Sequence, residues 1–154
     1  MKILGIDPGQ QGAISVIGED GFEGVFPYTD RTLCIVCACY IGDCKAVVEE
    51  VHALPQNSVR SAFSFGKNYG IVLGILTAMH IPIETVTPQE WKKHYGITAD
   101  KQTSIDKCKE LIPGINLHRT ERCKKESHDL AEAILIGLYG KEKDESDRED
   151  KKTP

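Results

Sequence analysis

Short apolar runs broken by turn residues dominate the first half of the chain, and the period of each run predicts its element. Lys2–Asp7 is a β run stopped by Pro8-Gly9, Gly12–Ile17 is a second, and after the turn GEDG a third covers Phe22–Pro27. Together they predict an antiparallel three-strand meander. From Asp30 to Tyr40 the residues Leu33, Val36, Cys37 and Tyr40 recur at helical spacing, with Asp30 as N-cap and Gly42 as a stop signal. Strand Lys45–His52, a loop through Pro55, a long helix from about Ser58 to His80 and strand Ile81–Val86 follow. Short crossovers of this kind pair strands in parallel. The expected fold is therefore α/β: a five-stranded mixed sheet, three antiparallel strands then two parallel, with helices on both faces.

After the sheet the pattern turns wholly helical. A short helix Pro88–Tyr95 opens on TPQE, which reads as a capping box, and a second covers Asp100–Leu111. The loop Pro113–Ser127 is polar and basic, and helix His128–Tyr139 carries Leu130, Ala133, Ile134 and Leu138 on an apolar face. The segment KEKDESDREDKKTP has nothing to bury. One domain over residues 1–140 and a disordered charged tail over 141–154 are expected.

With 154 residues, 40% of them hydrophobic, the chain suits one core and is short for two full-sized domains. No apolar run approaches the roughly 20 residues of a membrane span, and MKILGID reads as a strand and not as a signal peptide, so a cytoplasmic protein is expected. Four of the six cysteines fall in CIVCACYIGDC, but no second CxxC or HxxxH pair completes a tetrahedral metal site. Reduced thiols, several of them buried in a core helix, are the simpler reading. The formal net charge of −4 conceals a segregation: residues 87–125 carry nine basic and five acidic side chains. The nine are Lys92, Lys93, Lys101, Lys107, Lys109, Arg119, Arg122, Lys124 and Lys125, which fit a phosphate-binding surface as well as solvated helix faces.

Candidate chemistry lies with the acids. Asp7 closes the first strand, and ligands gather at the carboxyl ends of central strands in sheets of this kind; alone, it would equally serve an Asx-turn. In AVVEEVHA the adjacent Glu49 and Glu50 point to opposite faces, so only one of them joins Asp7. Asp129 and Glu132, three apart, share one helix face in the first turn, where the helix dipole also favours negative charge. Several carboxylates converging on one point repel, and a hard divalent cation is the usual counterweight.

In this order the pieces GIDPGQQGAISVI, VVEEVHALPQNSVRSAFSFGKNYGIVLGI, IPIETVTPQEWKKHYG, ADKQTS and HDLAEAILIGLYG resemble the RuvC family of Holliday-junction resolvases. That family lies within the ribonuclease-H-like superfamily, and the match is strongest to its short bacteriophage-type members. The resemblance implies a ribonuclease-H-like fold and assigns the metal ligands to Asp7, Glu49 rather than Glu50, Asp129 and Glu132. The last stands where the family typically has Asp. It further implies Mg²⁺ or Mn²⁺, two per active site, with Lys101 as an active-site lysine and Lys92 as a DNA contact. Arg119, Arg122, Lys124 and Lys125 of the basic segment join them as candidate DNA-binding residues. His52 falls where cellular members carry an aromatic that wedges the junction open.

The long helix has Gly66, Gly70 and Gly74 every fourth residue, a costly arrangement unless something packs closely there. The resemblance implies a homodimer through this helix; packing on the chain's own sheet is the alternative. The expected activity is resolution of four-way and other branched DNA by paired symmetric nicks that leave 5′-phosphate and 3′-hydroxyl ends. The alternatives are a less specific ribonuclease-H-like nuclease on flaps or RNA–DNA hybrids, and a binding module that holds structured nucleic acid without cutting it.

Overall fold

The computed structural model describes residues 1–52 and 58–150. Strands β1 (Lys2–Asp7), β2 (Ala13–Gly18) and β3 (Gly21–Pro27) are followed by helix α1 (Asp30–Cys39) and strand β4 (Cys44–Glu49). Then come α2 (Val59–Ala78), β5 (Ile83–Val86), α3 (Pro88–Tyr95), α4 (Lys101–Leu111) and α5 (His128–Asp150). The sheet runs in the order β3-β2-β1-β4-β5, antiparallel at β3/β2 and β2/β1 and parallel at β1/β4 and β4/β5. This is the expected mixed sheet.

Strand alternation sorts the core into two layers. Leu4, Ile6, Ile14, Val16, Ala46 and Val48 pack with α1 and α2, whose Leu33, Val36, Val72 and Leu76 are buried. Ile3, Ala13, Ile17 and Val47 face the other way, against Trp91, Ile105 and Cys108 and the α5 residues Leu130 to Ile136. Gly5 allows α5 to lie directly on β1: a β-carbon there would sit 2.3 Å from the Ala133 carbonyl oxygen and 2.4 Å from the Gly137 nitrogen.

Several boundaries differ from expectation. The N-cap of α1 is Thr29, whose Oγ1 accepts from the Thr32 N–H at 2.9 Å; Asp30 is the first helical residue. Strand β4 stops at Glu49 and not His52, while β5 starts at Ile83 because Ile81 and His80 close the end of α2, Ile81 N–H donating to the Leu76 carbonyl. The loop through Pro55 lies outside the described residues. All six cysteines are free, with Cys37, Cys44 and Cys108 buried.

The largest correction concerns the tail. Helix α5 continues through Asp150, where disorder was expected from residue 141; residues 151–154 lie outside the described residues. Lys and Glu are good helix formers, and here their charges find partners on other elements. Lys141 donates to the Glu19 carbonyl at 2.5 Å, Glu142 meets His94 Nε2 at 2.6 Å, and Lys143 reaches Glu84 at 2.5 Å. Lys45 on β4 bridges Glu84 and Asp144, at 2.6 Å from each. Among the described residues no helix is long and apolar enough to cross a membrane.

Candidate active site

Strand parity decides which acids meet. Asp7 shares the α5 face with Ile3 and Gly5, and Glu49 shares it with Val47; the parallel register Gly5↔Val47, Ile6↔Val48 carries on to set Asp7 beside Glu49. Onto the same end of that face α5 brings its first turn, with Asp129 and Glu132 one turn apart.

The electrostatics of Asp7 record the convergence. Its carboxyl is pushed up to about 8, first by burial and then by the negative charge of Glu49, with Glu132 and Asp129 adding to it; only the Gly9 N–H, donating at 2.9 Å, opposes. That bond is also the expected Asx-turn. Burial raises the Glu49 carboxyl as well, with Glu132 adding, against the pull of the Trp91 hydrogen bond and the Lys92 charge.

Each remaining acid is held by neighbours. Trp91 Nε1 donates to Glu49 Oε1 at 2.9 Å. Ser104, fully buried in α4, donates to Glu132 Oε1 at 3.0 Å, and Lys92 Nζ stands 3.4 Å from the same oxygen. Asp129 lies 3.1 Å from His128 Nε2 and 3.8 Å from an Arg119 nitrogen. Glu50 turns to the opposite side, where Thr85 Oγ1 donates to it at 2.7 Å and His52 Nε2 pairs with it at 3.1 Å. Its charge, after burial, raises the Tyr69 hydroxyl of α2.

The basic candidates divide three ways. Lys92 belongs to the acid cluster. Arg119 is turned inward, donating to the carbonyls of Gln11 and Gly12, so it clamps the β1–β2 turn to the loop before α5 and is not a free phosphate contact. Lys101, the first residue of α4, is exposed and makes no ion pair with the acids among the described residues. Arg122, Lys124 and Lys125 are exposed on the loop before α5, and His52 is exposed at the edge of the described segment.

The donor set is all oxygen, as a hard divalent cation requires, and the excess negative potential at Asp7 is what such a cation neutralises. The residue types therefore fit. Among the described residues no three acidic, His or Cys side chains are gathered closely enough to hold a metal as they stand. Glu49, Glu132 and Asp129 are engaged by Trp91, Ser104 with Lys92, and His128 with Arg119 respectively.

Trp91 and Ser104 were not singled out from sequence. Each reads as an ordinary core or helix residue, and the one available signal was that a buried indole N–H or hydroxyl needs an acceptor.

No protein-family model and no curated protein matches the chain. Solved structures do match in fold. Thermus thermophilus RuvC is 19% identical over 93% of this chain and 97% of that chain, with a TM-score of 0.62. The T. thermophilus RuvC complex with a Holliday junction substrate is 19% identical over 90% of each, with a TM-score of 0.61. The chain has a RuvC-like fold of the ribonuclease-H-like type, and its four acids stand at the carboxyl end of that fold's central strands.

Proposed function

We propose that this chain is a divalent-metal-dependent endonuclease that resolves four-way and other branched DNA by paired nicks. The observation that carries the reading is the convergence on Asp7: three acids from β4 and α5 raise a carboxyl that the fold has already buried. A fold that tolerates such repulsion at a strand end keeps it for a reason other than stability. The fold likeness to a RuvC solved with a Holliday junction supports the substrate class.

Asp7, Glu49, Asp129 and Glu132 would hold Mg²⁺ or Mn²⁺, two ions per site, which supply an activated water and stabilise the leaving 3′ oxygen. Lys92 neutralises Glu132 until substrate phosphate competes for its ammonium group. Lys101 and the exposed Arg122, Lys124 and Lys125 bind backbone phosphate around the site. Cutting two opposed strands takes two sites, and a homodimer through α2 provides them. The outer face of α2 offers Gly66, Gly70 and Gly74 with open space beside each, next to exposed Phe63 and Val59.

The test is incubation with end-labelled four-way junction, flap, linear duplex and RNA–DNA hybrid, each with Mg²⁺, Mn²⁺ and chelator. Symmetric nicks in the junction, with 5′-phosphate ends and lost in chelator, are expected. Preference for hybrid or flap moves the reading to a general ribonuclease-H-like nuclease, and binding without cleavage under any metal overturns it.

A further inference from the structure

Trp91 is the chain's single tryptophan, and its side chain is completely buried. Every other large side chain in the buried cluster around it is aliphatic. Filling that space needs a ring or a branched chain; it does not need a donor. Yet the indole Nε1 is aimed at Glu49 Oε1, at 2.9 Å.

The donor is also rigidly mounted. Helix α3 has only eight residues, but both of its ends are fixed. Thr87 and Glu90 form a reciprocal capping box with Pro88 at the first position, and Gly96 closes the helix in the left-handed conformation, φ 67°. The helix starts two residues after Val86, which is the register partner of Glu49 across β4 and β5. Indole and carboxylate are thus joined by a short path through neighbouring strand ends, with little slack. The next residue, Lys92, reaches Glu132 from the same helix.

We propose that Trp91 is the positioning residue of Glu49, fixing one carboxylate oxygen so that the group is oriented for a divalent cation, and that its emission reports the arrival of that cation. The proposal rests on the metal-site reading above. A charge-assisted hydrogen bond from a fixed donor removes rotational freedom from a ligand, and partners of this kind commonly govern metal affinity by 10–100-fold. Indole emission responds to a change of charge at its hydrogen-bonded acceptor, and one tryptophan leaves no competing signal.

The full chain is titrated with Mg²⁺ alone and with Mn²⁺ alone, followed by tryptophan emission and by calorimetry. A saturable emission change whose midpoint agrees with the calorimetric one is expected, and Glu49→Gln should abolish it. Trp91→Phe should weaken metal affinity about 10–100-fold with the far-ultraviolet spectrum unchanged. Should the phenylalanine variant fail to fold, replacing Trp91 with its sulfur isostere benzothienylalanine keeps the ring shape and removes only the N–H; the same loss is expected. Wild-type affinity in the isostere overturns the positioning role, and metal binding that leaves the emission unchanged overturns the reporting role. A wild type that binds no cation overturns the metal site itself. Metal binding with the expected Trp91 dependence but no cleavage of branched DNA overturns the proposed function and leaves this inference standing.

Discussion

On the face of the sheet covered by α5, Gly5 and Gly137 meet so closely that neither tolerates a β-carbon, whereas on the outer face of α2 the glycines Gly66, Gly70 and Gly74 meet nothing within 4 Å. Helical glycine costs about 1 kcal/mol relative to alanine wherever it stands. In α5 contact with β1 and β2 offsets that cost; in α2 no contact among the described residues does. The glutamates repeat the contrast, since Glu49 enters the acid cluster on the α5 face while Glu50 pairs with Thr85 and His52 on the other. The α5 face is thus closely packed, whereas among the described residues the outside of α2 is open beside its three glycines.

The strongest way to break this contrast is to give both faces the same methyl group. Gly5→Ala forces β1 and α5 apart and should cost about 3 kcal/mol or prevent folding, as overpacking against backbone does. Gly70→Ala should leave the monomer's melting temperature equal or higher, by about 1 kcal/mol of helix propensity, while weakening self-association in sedimentation. Equal losses of stability from the two would show that α2 packs on its own chain.

The glutamates give the next largest effect. Glu49→Gln should lower junction cleavage by about two orders of magnitude with binding retained, while Glu50→Gln stays within about tenfold of wild type. Gel-resolved single-turnover rates decide it, and reversed effects would put the site on the other face.

Asp7 ties the α5 face to pH. Its folded value of about 8 lies above the ordinary value of 3.8 for an aspartate, so the native state binds the proton more tightly and the stability from this group is fullest below pH 3.8. It declines as pH rises from there through about 8. In chelator, Asp7→Asn should therefore match wild type near pH 3.5 and exceed it by about 2 kcal/mol at pH 9, measured by urea unfolding. A wild type whose stability is flat over that range would show that the carboxyl is not pressed by its neighbours.

The smallest effect is expected at the far end of α5. Asp144→Asn removes one partner of Lys45 and should cost about 0.5 kcal/mol, less in high salt. A larger cost would make the ion pairs, and not helix propensity, the reason that this half of the helix forms.

The sheet was legible in the sequence because each strand alternates or runs apolar between strong breakers, and the crossovers leave little choice of pairing. Asp7 against Glu49 followed from parity alone once the register was known, whereas the choice between Glu49 and Glu50 came only with the family resemblance. The continuation of α5 was illegible because composition records the charges of Lys141 to Asp150 without their partners. Glu19, Lys45, Glu84 and His94 lie far away along the chain and become neighbours only after folding. Trp91 and Ser104 were hidden for a related reason: their buried positions read as packing, and their donors acquire meaning only opposite Glu49 and Glu132.

The four acids come from three elements far apart along the chain, Asp7 in β1, Glu49 in β4 and Asp129 with Glu132 in α5. The helix that completes the constellation is the same one that covers the apolar α5 face of the sheet. The cover of that face and two of the four acids therefore belong to one helix, and a chain shortened before residue 128 loses both together.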